Sequence, residues 1–204
     1  YSRRFNENVS IVPTTIDTDK YRIVERPEPD VVTIGWSGSF STVQHLDTIR
    51  DVLRELARTE GFRLRVIGTP SYKIPDVDTE AMQWRSATEI EDLGAIEIGI
   101  MPLPDEDWSR GKCGLKALQY MALGIPTVCS PVGVNSTIIR HGVNGYIADT
   151  PAEWIDVLKK LLHQPDLRRK IGMAGRRTVE NEYSAKVVAP KVAEIFRSAA
   201  AKGQ

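Results

Sequence analysis

Short β-branched runs alternate with stretches of helical periodicity along most of the chain. Val31-Val32-Thr33-Ile34 reads as a buried strand, followed by a loop Gly35–Phe40. Leu46, Ile49, Val52, Leu53 and Leu56 then recur at helical spacing, which predicts one helix from about Thr42 to Arg58. Ser41 with Gln44 would box its start. Leu64–Ile67 and Met82–Trp84 read as the next strands. Thr88 with Glu91 predicts a second capping box opening a short helix to Leu93. Ile96–Met101 is a fourth strand, ended by Pro102. A polar loop leads to a helix from about Lys112 to Leu123, capped by Gly124 and stopped by Pro126. Thr127–Cys129 and Tyr146-Ile147 are further strands. Ile138–His141 is a short helix or turn. Thr150-Pro151-Ala152-Glu153 is a strong helix start. Helices are expected near 151–163, 166–181 and 185–200.

Strands alternating with helices imply βαβ units on a mostly parallel sheet. The expected fold is therefore α/β, doubly wound, a Rossmann-like three-layer sandwich. Ligands in such sheets bind outside the carboxyl ends of the strands. That rule singles out the loops 35–41, 68–75, 84–88, 102–114 and 130–136. Residues 1–28, with a strand-like Val9–Val12 and then Pro13 and Pro27, read as a linker arriving from another unit. The polar start without a methionine is expected to lie within a longer protein. Residues 29–183 would be the Rossmann-like domain and 184–204 a terminal helix.

Charge narrows the function. Lys plus Arg and Asp plus Glu are 27 each, so net charge gives no support to a nucleic-acid or membrane-surface role. No apolar run approaches the ~20 residues of a membrane helix. The two cysteines, Cys113 and Cys129, form no C-x-x-C pair and read as reduced thiols of a cytoplasmic protein. The three histidines are scattered, and no metal site is expected.

The chemistry concentrates in Asp105–Pro126. Arg110, Lys112 and Lys116 crowd the expected helix start, where cations oppose the helix dipole by about 0.3–1 kcal/mol each. A bound anion resolves the conflict. Gly111 and Gly114 would let free N–H groups approach a phosphate. On a helix beginning at Lys112, the i, i+4, i+7 spacing puts Lys112, Lys116 and Gln119 on one face. Two amines and an amide there suit a diphosphate followed by a ribose. A solvated polar face, balanced by Asp105, Glu106 and Asp107, is the plainer reading.

Gly114-Leu115, Leu118, Met121-Ala122, Gly124, Pro126 and Val128 resemble the core signature of retaining glycosyltransferases of family 4, also called group 1. Val9–Tyr21 is similar to that family's interdomain linker, and His141–Tyr146 to its G-x-x-G turn. The resemblance implies the C-terminal, donor-binding lobe of a two-lobed GT-B fold. The last helix would cross to an N-terminal acceptor lobe that this chain lacks. It further implies retention of anomeric configuration, a nucleoside diphosphate sugar as donor, and no metal or other cofactor. Any membrane contact would be peripheral, through the absent lobe; the acceptor, whether glycan, lipid or small molecule, is not indicated.

Lys112 and Lys116 would stabilise the leaving diphosphate, the backbone of Cys113, Gly114 and Leu115 would cradle it, and Gln119 would hold the ribose. Gly38 and Ser39 either approach the diphosphate or form an ordinary turn. Trp84 and Arg85 follow the third strand, where the family's nucleobase rests, although Trp84 also suits the core. Asn135 falls near a donor-contacting loop or serves as a turn residue. The family's two glutamates fall on Gly111 and Gln119, so this chain departs from the pattern at both. A sugar-nucleotide epimerase of the same fold, or a non-catalytic nucleotide-binding module, are the rival readings.

Overall fold

Six strands form one all-parallel sheet in the computed structural model, which describes residues 2–23 and 27–202. Parts of the linker and the last two residues of the expected terminal helix lie outside the described residues. The strands are β1 (Thr33–Ser37), β2 (Arg63–Ile67), β3 (Thr79–Met82), β4 (Ile98–Met101), β5 (Thr127–Cys129) and β6 (Tyr146–Ile147). Their order is β3-β2-β1-β4-β5-β6. The winding thus reverses between β1 and β4, and the crevice beyond their carboxyl ends is where this architecture receives ligands.

Period-2 alternation divides the sheet's side chains between two cores. Ile34, Trp36, Leu64, Val66, Ile98, Ile100 and Val128 point one way. They meet α1 (Gln44–Asp47), α2 (Arg50–Ala57) and α7 (Pro151–His163) through Leu46, Leu53, Leu56, Trp154 and Leu158. Ile67, Met101 and Cys129 point the other way, toward α3 (Glu89–Gly94) and α5 (Leu115–Ala122). Gly99 of β4 is what lets α5 lie so close. A Cβ there would sit 2.5 Å from the ring of Tyr120. That fully buried tyrosine places its hydroxyl 2.9 Å from the Ser37 amide, which donates to it. The end of β1 is thereby keyed to α5. A Tyr120→Phe variant strands the Ser37 N–H in the core. It is expected to lose about 1–3 kcal/mol of stability, read as a lower Tm in thermal denaturation.

The remaining helices are α4 (Asp107–Arg110), α6 (Asn135–Ile138), α8 (Pro165–Thr178) and α9 (Ala185–Lys202). A single 3-10 turn spans Ser2–Arg4. A π-helical turn, Val179–Tyr183, joins α8 to α9. Gly172 of α8 packs against the backbone that ends α5.

Several local expectations are corrected. The long helix over 42–58 divides at Thr48-Ile49, where the Thr48 hydroxyl donates to the His45 carbonyl at 2.7 Å and Ile49 leaves helical geometry (φ −115°, ψ 18°). No capping box forms at Ser41: its hydroxyl pairs with that of Ser39 at 2.8 Å. Thr88 does not cap either, since its hydroxyl donates to Asp92 at 2.7 Å. The box at Thr150 with Glu153 does form. Val9–Val12 is not a strand, and β1 starts at Thr33, leaving Val31 exposed. The third strand lies at 79–82 instead of 82–84. Helix α8 gives way to the π turn at Val179.

The linker is bound tightly along 16–21. Ile16 bridges Ser184, with the Ile16 amide donating to the Tyr183 carbonyl and the Ala185 amide to the Ile16 carbonyl, both at 3.0 Å. The Arg176 guanidinium donates to the carbonyls of Thr18 (3.0 Å), Tyr21 and Ala122 (2.5 Å).

Candidate functional site

The crevice beyond β1 and β4 is walled by the loop after β1, by α4 and by the turn that starts α5. Gly114 makes that turn with φ +72°, and a Cβ there would fall 2.4 Å from Ile138. Glycine is therefore required on both conformational and steric grounds. Helix α5 starts after it, at Leu115, so Lys112 precedes the helix and does not share a helical face with Lys116 and Gln119. The amides of Cys113, Gly114, Leu115, Lys116 and Ala117 donate to no backbone carbonyl among the described residues. They are the N-terminal donors of the helix, without backbone partners, gathered in one turn, and those of Cys113 and Leu115 lie against the Cys113 sulfur.

Two of the three expected cations are unpaired. Lys116 is half-buried, with its Nζ 5.2 Å from the centre of the Trp36 ring. Lys112 Nζ lies 5.4 Å from the Trp108 ring. Neither has a carboxylate partner among the described residues. Burial, and then the neighbouring charge of Lys112, push the Lys116 ammonium down to a pKa of about 8. Arg110 corrects the expectation of three free cations: it makes a two-pronged bond to Asp105 (2.7 and 3.0 Å) and a third contact to Asp107 (3.3 Å). The Arg110 guanidinium holds the Asp105 carboxyl below its usual range, so Asp105 is a poor proton donor.

His45, which the sequence did not single out, joins the lysines. It is 2% exposed, and neither ring nitrogen has a hydrogen-bond partner among the described residues. Burial, then Lys112 and Lys116, depress its pKa, so the imidazole is neutral.

Other expected residues fall into place less simply. The Gly38 amide donates to the Ile67 carbonyl at 2.9 Å and the Ser39 amide to the Thr42 hydroxyl at 3.1 Å, so neither is free. The hydroxyls of Ser39 and Ser41 on this loop pair with each other at 2.8 Å. Asn135 is 1% exposed; its Nδ2 donates to the Ser130 carbonyl at 3.1 Å, while its Oδ1 has no partner among the described residues. It packs behind Gly114, which makes it a support of the turn. Cys113 is exposed. A hydrogen bond from Thr14, opposed by burial, lowers its thiol pKa, with further help from the Leu115 amide. Leu115 is partly exposed beside it.

Gln119 and Trp84 belong to one cluster one turn further along α5. Gln119 is only 8% exposed; its Nε2 donates to the Tyr21 hydroxyl at 2.8 Å and to Glu89 at 3.3 Å. Trp84 is 44% exposed, so it is not a core residue, and its Nε1 donates to Glu89 at 3.0 Å. Arg85 is exposed next to it. Tyr21 and Glu89 carried no sequence signal, because only the fold brings linker, α3 and α5 together. Among the described residues, no group of three or more His, Cys, Asp or Glu is placed to hold a metal, and no helix is long and apolar enough to cross a membrane.

Comparison with known proteins gives this geometry a family. The family model for glycosyl transferases group 1 matches residues 31–164, which include every strand of the sheet and the lysine-bearing turn. An MMP alpha-(1->4)-mannosyltransferase from Mycolicibacterium hassiacum is 27% identical over 215 residues, covering 96% of this chain and 50% of that protein. The sucrose-phosphate synthase structure from Thermosynechococcus elongatus superposes with a TM-score of 0.77 at 16% identity, over 99% of this chain and 56% of that one. The Anabaena protein Alr3699/HepE, solved in complex with UDP-glucose, gives 0.72 at 13% identity, over 93% and 57%. The chain spans about half the length of the curated relatives it matches, or less. Its Rossmann-like sheet is that of the C-terminal domain of GT-B glycosyltransferases, and the chain belongs to the group 1 glycosyl transferases.

Proposed function

We propose that this chain is the donor-binding half of a retaining glycosyltransferase that uses a nucleoside diphosphate sugar. The observation that carries the reading is Lys116: a half-buried ammonium with no carboxylate partner among the described residues, beside a turn of amides that have no backbone partner, at the reversal of the sheet. A diphosphate supplies the counter-charge this arrangement lacks. Lys116 would neutralise the phosphate oxygens, Lys112 would close from the outside with Trp108, and the amides of Cys113, Gly114 and Leu115 would hold the oxygen nearest α5. These charges stabilise the diphosphate most as it leaves, when its negative charge is greatest. Binding of UDP-glucose by Alr3699/HepE, which shares the fold, supports this choice of ligand.

In this reading residues 29–183 form the donor domain and 1–28 the linker. Helix α9 would run to an acceptor lobe outside this chain. The apolar groove between Val12-Pro13 and Val188, Val192 and Phe196 is where that lobe would pack. The reaction would need no metal or other cofactor. The isolated half would bind donor without turning it over, since the acceptor comes from the other lobe.

A thermal-shift panel of UDP, GDP and ADP with their monophosphates tests the reading. One diphosphate at a hundredfold over its Kd is expected to add about 2.7 kcal/mol, or roughly 5–10 °C. Its monophosphate should shift the melt less. Equal shifts from all anions, inorganic sulfate included, would reduce the site to a general anion trap and sink the proposal.

A further inference from the structure

The Glu89 cluster has a feature that linker attachment does not require. Its carboxylate is held by three neutral donors: Tyr21 Oη at 2.9 Å on Oε2, and Trp84 Nε1 at 3.0 Å and Gln119 Nε2 at 3.3 Å on Oε1. No Lys or Arg pairs with it among the described residues. An ionised carboxylate offers about four acceptor positions, and a glutamine carbonyl two. Tyr21 is already both donor, to Glu89, and acceptor, from Gln119. The Gln119 Oε1 accepts nothing among the described residues. What the cluster leaves unfilled is therefore acceptor capacity, on Glu89 Oε2 and on Gln119 Oε1. That complement fits neighbouring hydroxyl groups and repels phosphate.

Position narrows the ligand further. Gln119 follows Lys116 by three residues on α5, so the cluster lies one helical turn from the ammonium. On its far side stands Trp84, half-exposed, with an indole oriented by its bond to Glu89. A cation, an acceptor pair and an aromatic ring are thus linked in that order, Lys116 to Gln119 along α5, Gln119 to Glu89 and Glu89 to Trp84 by hydrogen bonds. Phosphate, cis-diol and base follow one another in a ribonucleoside diphosphate.

We propose that Glu89 is the ribose-recognition residue of this chain. It accepts hydrogen bonds from the 2′ and 3′ hydroxyls, with Gln119 beside it, and selects ribonucleotide over deoxyribonucleotide donors. This rests on the donor-binding reading above. The carboxylate comes from α3, while α5 presents a neutral amide, and Tyr21 and Trp84 fix the rotamer of Glu89 before ligand arrives. A hydroxyl donating to a carboxylate makes a stronger bond than one donating to an amide, so the charge at residue 89 is what gives the selectivity.

The test is equilibrium binding of UDP, GDP and ADP and of their 2′,3′-dideoxy forms to the wild type, Glu89→Gln and Lys116→Met. Glu89→Gln keeps the side-chain size and can still accept from Trp84. In the wild type the ribo form is expected to bind about tenfold or more tightly than its dideoxy form. In Glu89→Gln that ratio should fall to within about twofold of unity, with the dideoxy affinity nearly unchanged. Should this variant melt below the assay temperature, Glu89→Asp, which keeps the charge but withdraws it, is expected to lose the same ratio. A ratio that survives both substitutions overturns the assignment, as does an equal loss for both ligand forms, which is what a purely structural latch would give. Binding that disappears in Lys116→Met would uphold the donor reading even if the ratio failed. No binding of any diphosphate to the wild type would overturn both.

Discussion

A Lys116→Met variant is expected to melt about 3–6 °C above the wild type in buffer alone, and to bind nucleoside diphosphates at least about a hundredfold more weakly. Both effects have one origin. Lowering an ammonium from 10.5 to about 8 corresponds to about 3 kcal/mol of unfavourable environment at full weight. Partial exposure of the side chain and the loss of its contact with Trp36 reduce the net gain to about 1–2 kcal/mol. Methionine keeps the length and apolar stem without the charge. The sign with pH follows. Below about 8, folded and unfolded chains are both protonated and the penalty is fully present. Between about 8 and 10.5 the unfolded chain binds the extra proton, so wild-type stability rises with pH across that window. Melting curves from pH 7 to 10 should show the rise in the wild type and its absence in Lys116→Met. A variant that melts lower than the wild type at pH 7 would mean that the ammonium is already compensated within the fold, and no anion would then be needed there.

Gly172→Ala is expected to remove about 3 kcal/mol or more of stability, roughly 6–12 °C in Tm. The added Cβ would stand 1.8 Å from the Gly124 carbonyl oxygen. That atom cannot rotate away. It belongs to the residue that ends α5 in the left-handed region (φ +72°), with its amide donating to the Met121 carbonyl at 3.0 Å. Relief of the clash must therefore separate α8 from α5 or unwind the α5 terminus. Gly61→Ala is the matched control, since a Cβ there meets nothing within 4 Å. Chemical denaturation of the two variants side by side checks the claim. Equal, small losses would show that α8 slides without resistance.

The parts of the fold written in local pattern could be read from the chain. Ile34, Leu64, Ile98 and Val128 sit in apolar runs flanked by turn residues, and these fixed the α/β class. Thr150, Pro151 and Glu153 fixed the start of α7. Strand β3 was displaced in the reading because Thr79–Met82 lies at the sheet edge, half-buried throughout, with no apolar run to mark it. Helix α5 starts at Leu115, later than the periodicity predicts, because Gly114 is a left-handed stop as well as a point of close backbone approach. Balance of Arg110 by the nearby acids is legible in the sequence; its choice of Asp105 is not, because no continuous helix brings residues five apart together. Gln119 was legible as a polar position on α5. Its covering by Tyr21, from 98 residues away, was not. His45 and Glu89 carry no motif at all; their significance comes from neighbours supplied by other elements.

The pairing of Ile16 with Ser184 has a mechanical consequence. The backbone enters and leaves the Rossmann unit through one doorway, held by two hydrogen bonds in register. A pull applied before residue 16 and after residue 184 loads those bonds in shear and bypasses the sheet. Tyr21 lies a few residues inside the doorway with its hydroxyl on Glu89. Between the doorway and that hydroxyl the linker is held again by Arg176, on the carbonyls of Thr18 and Tyr21, so a load on residue 16 is shared with α8 before it reaches Glu89.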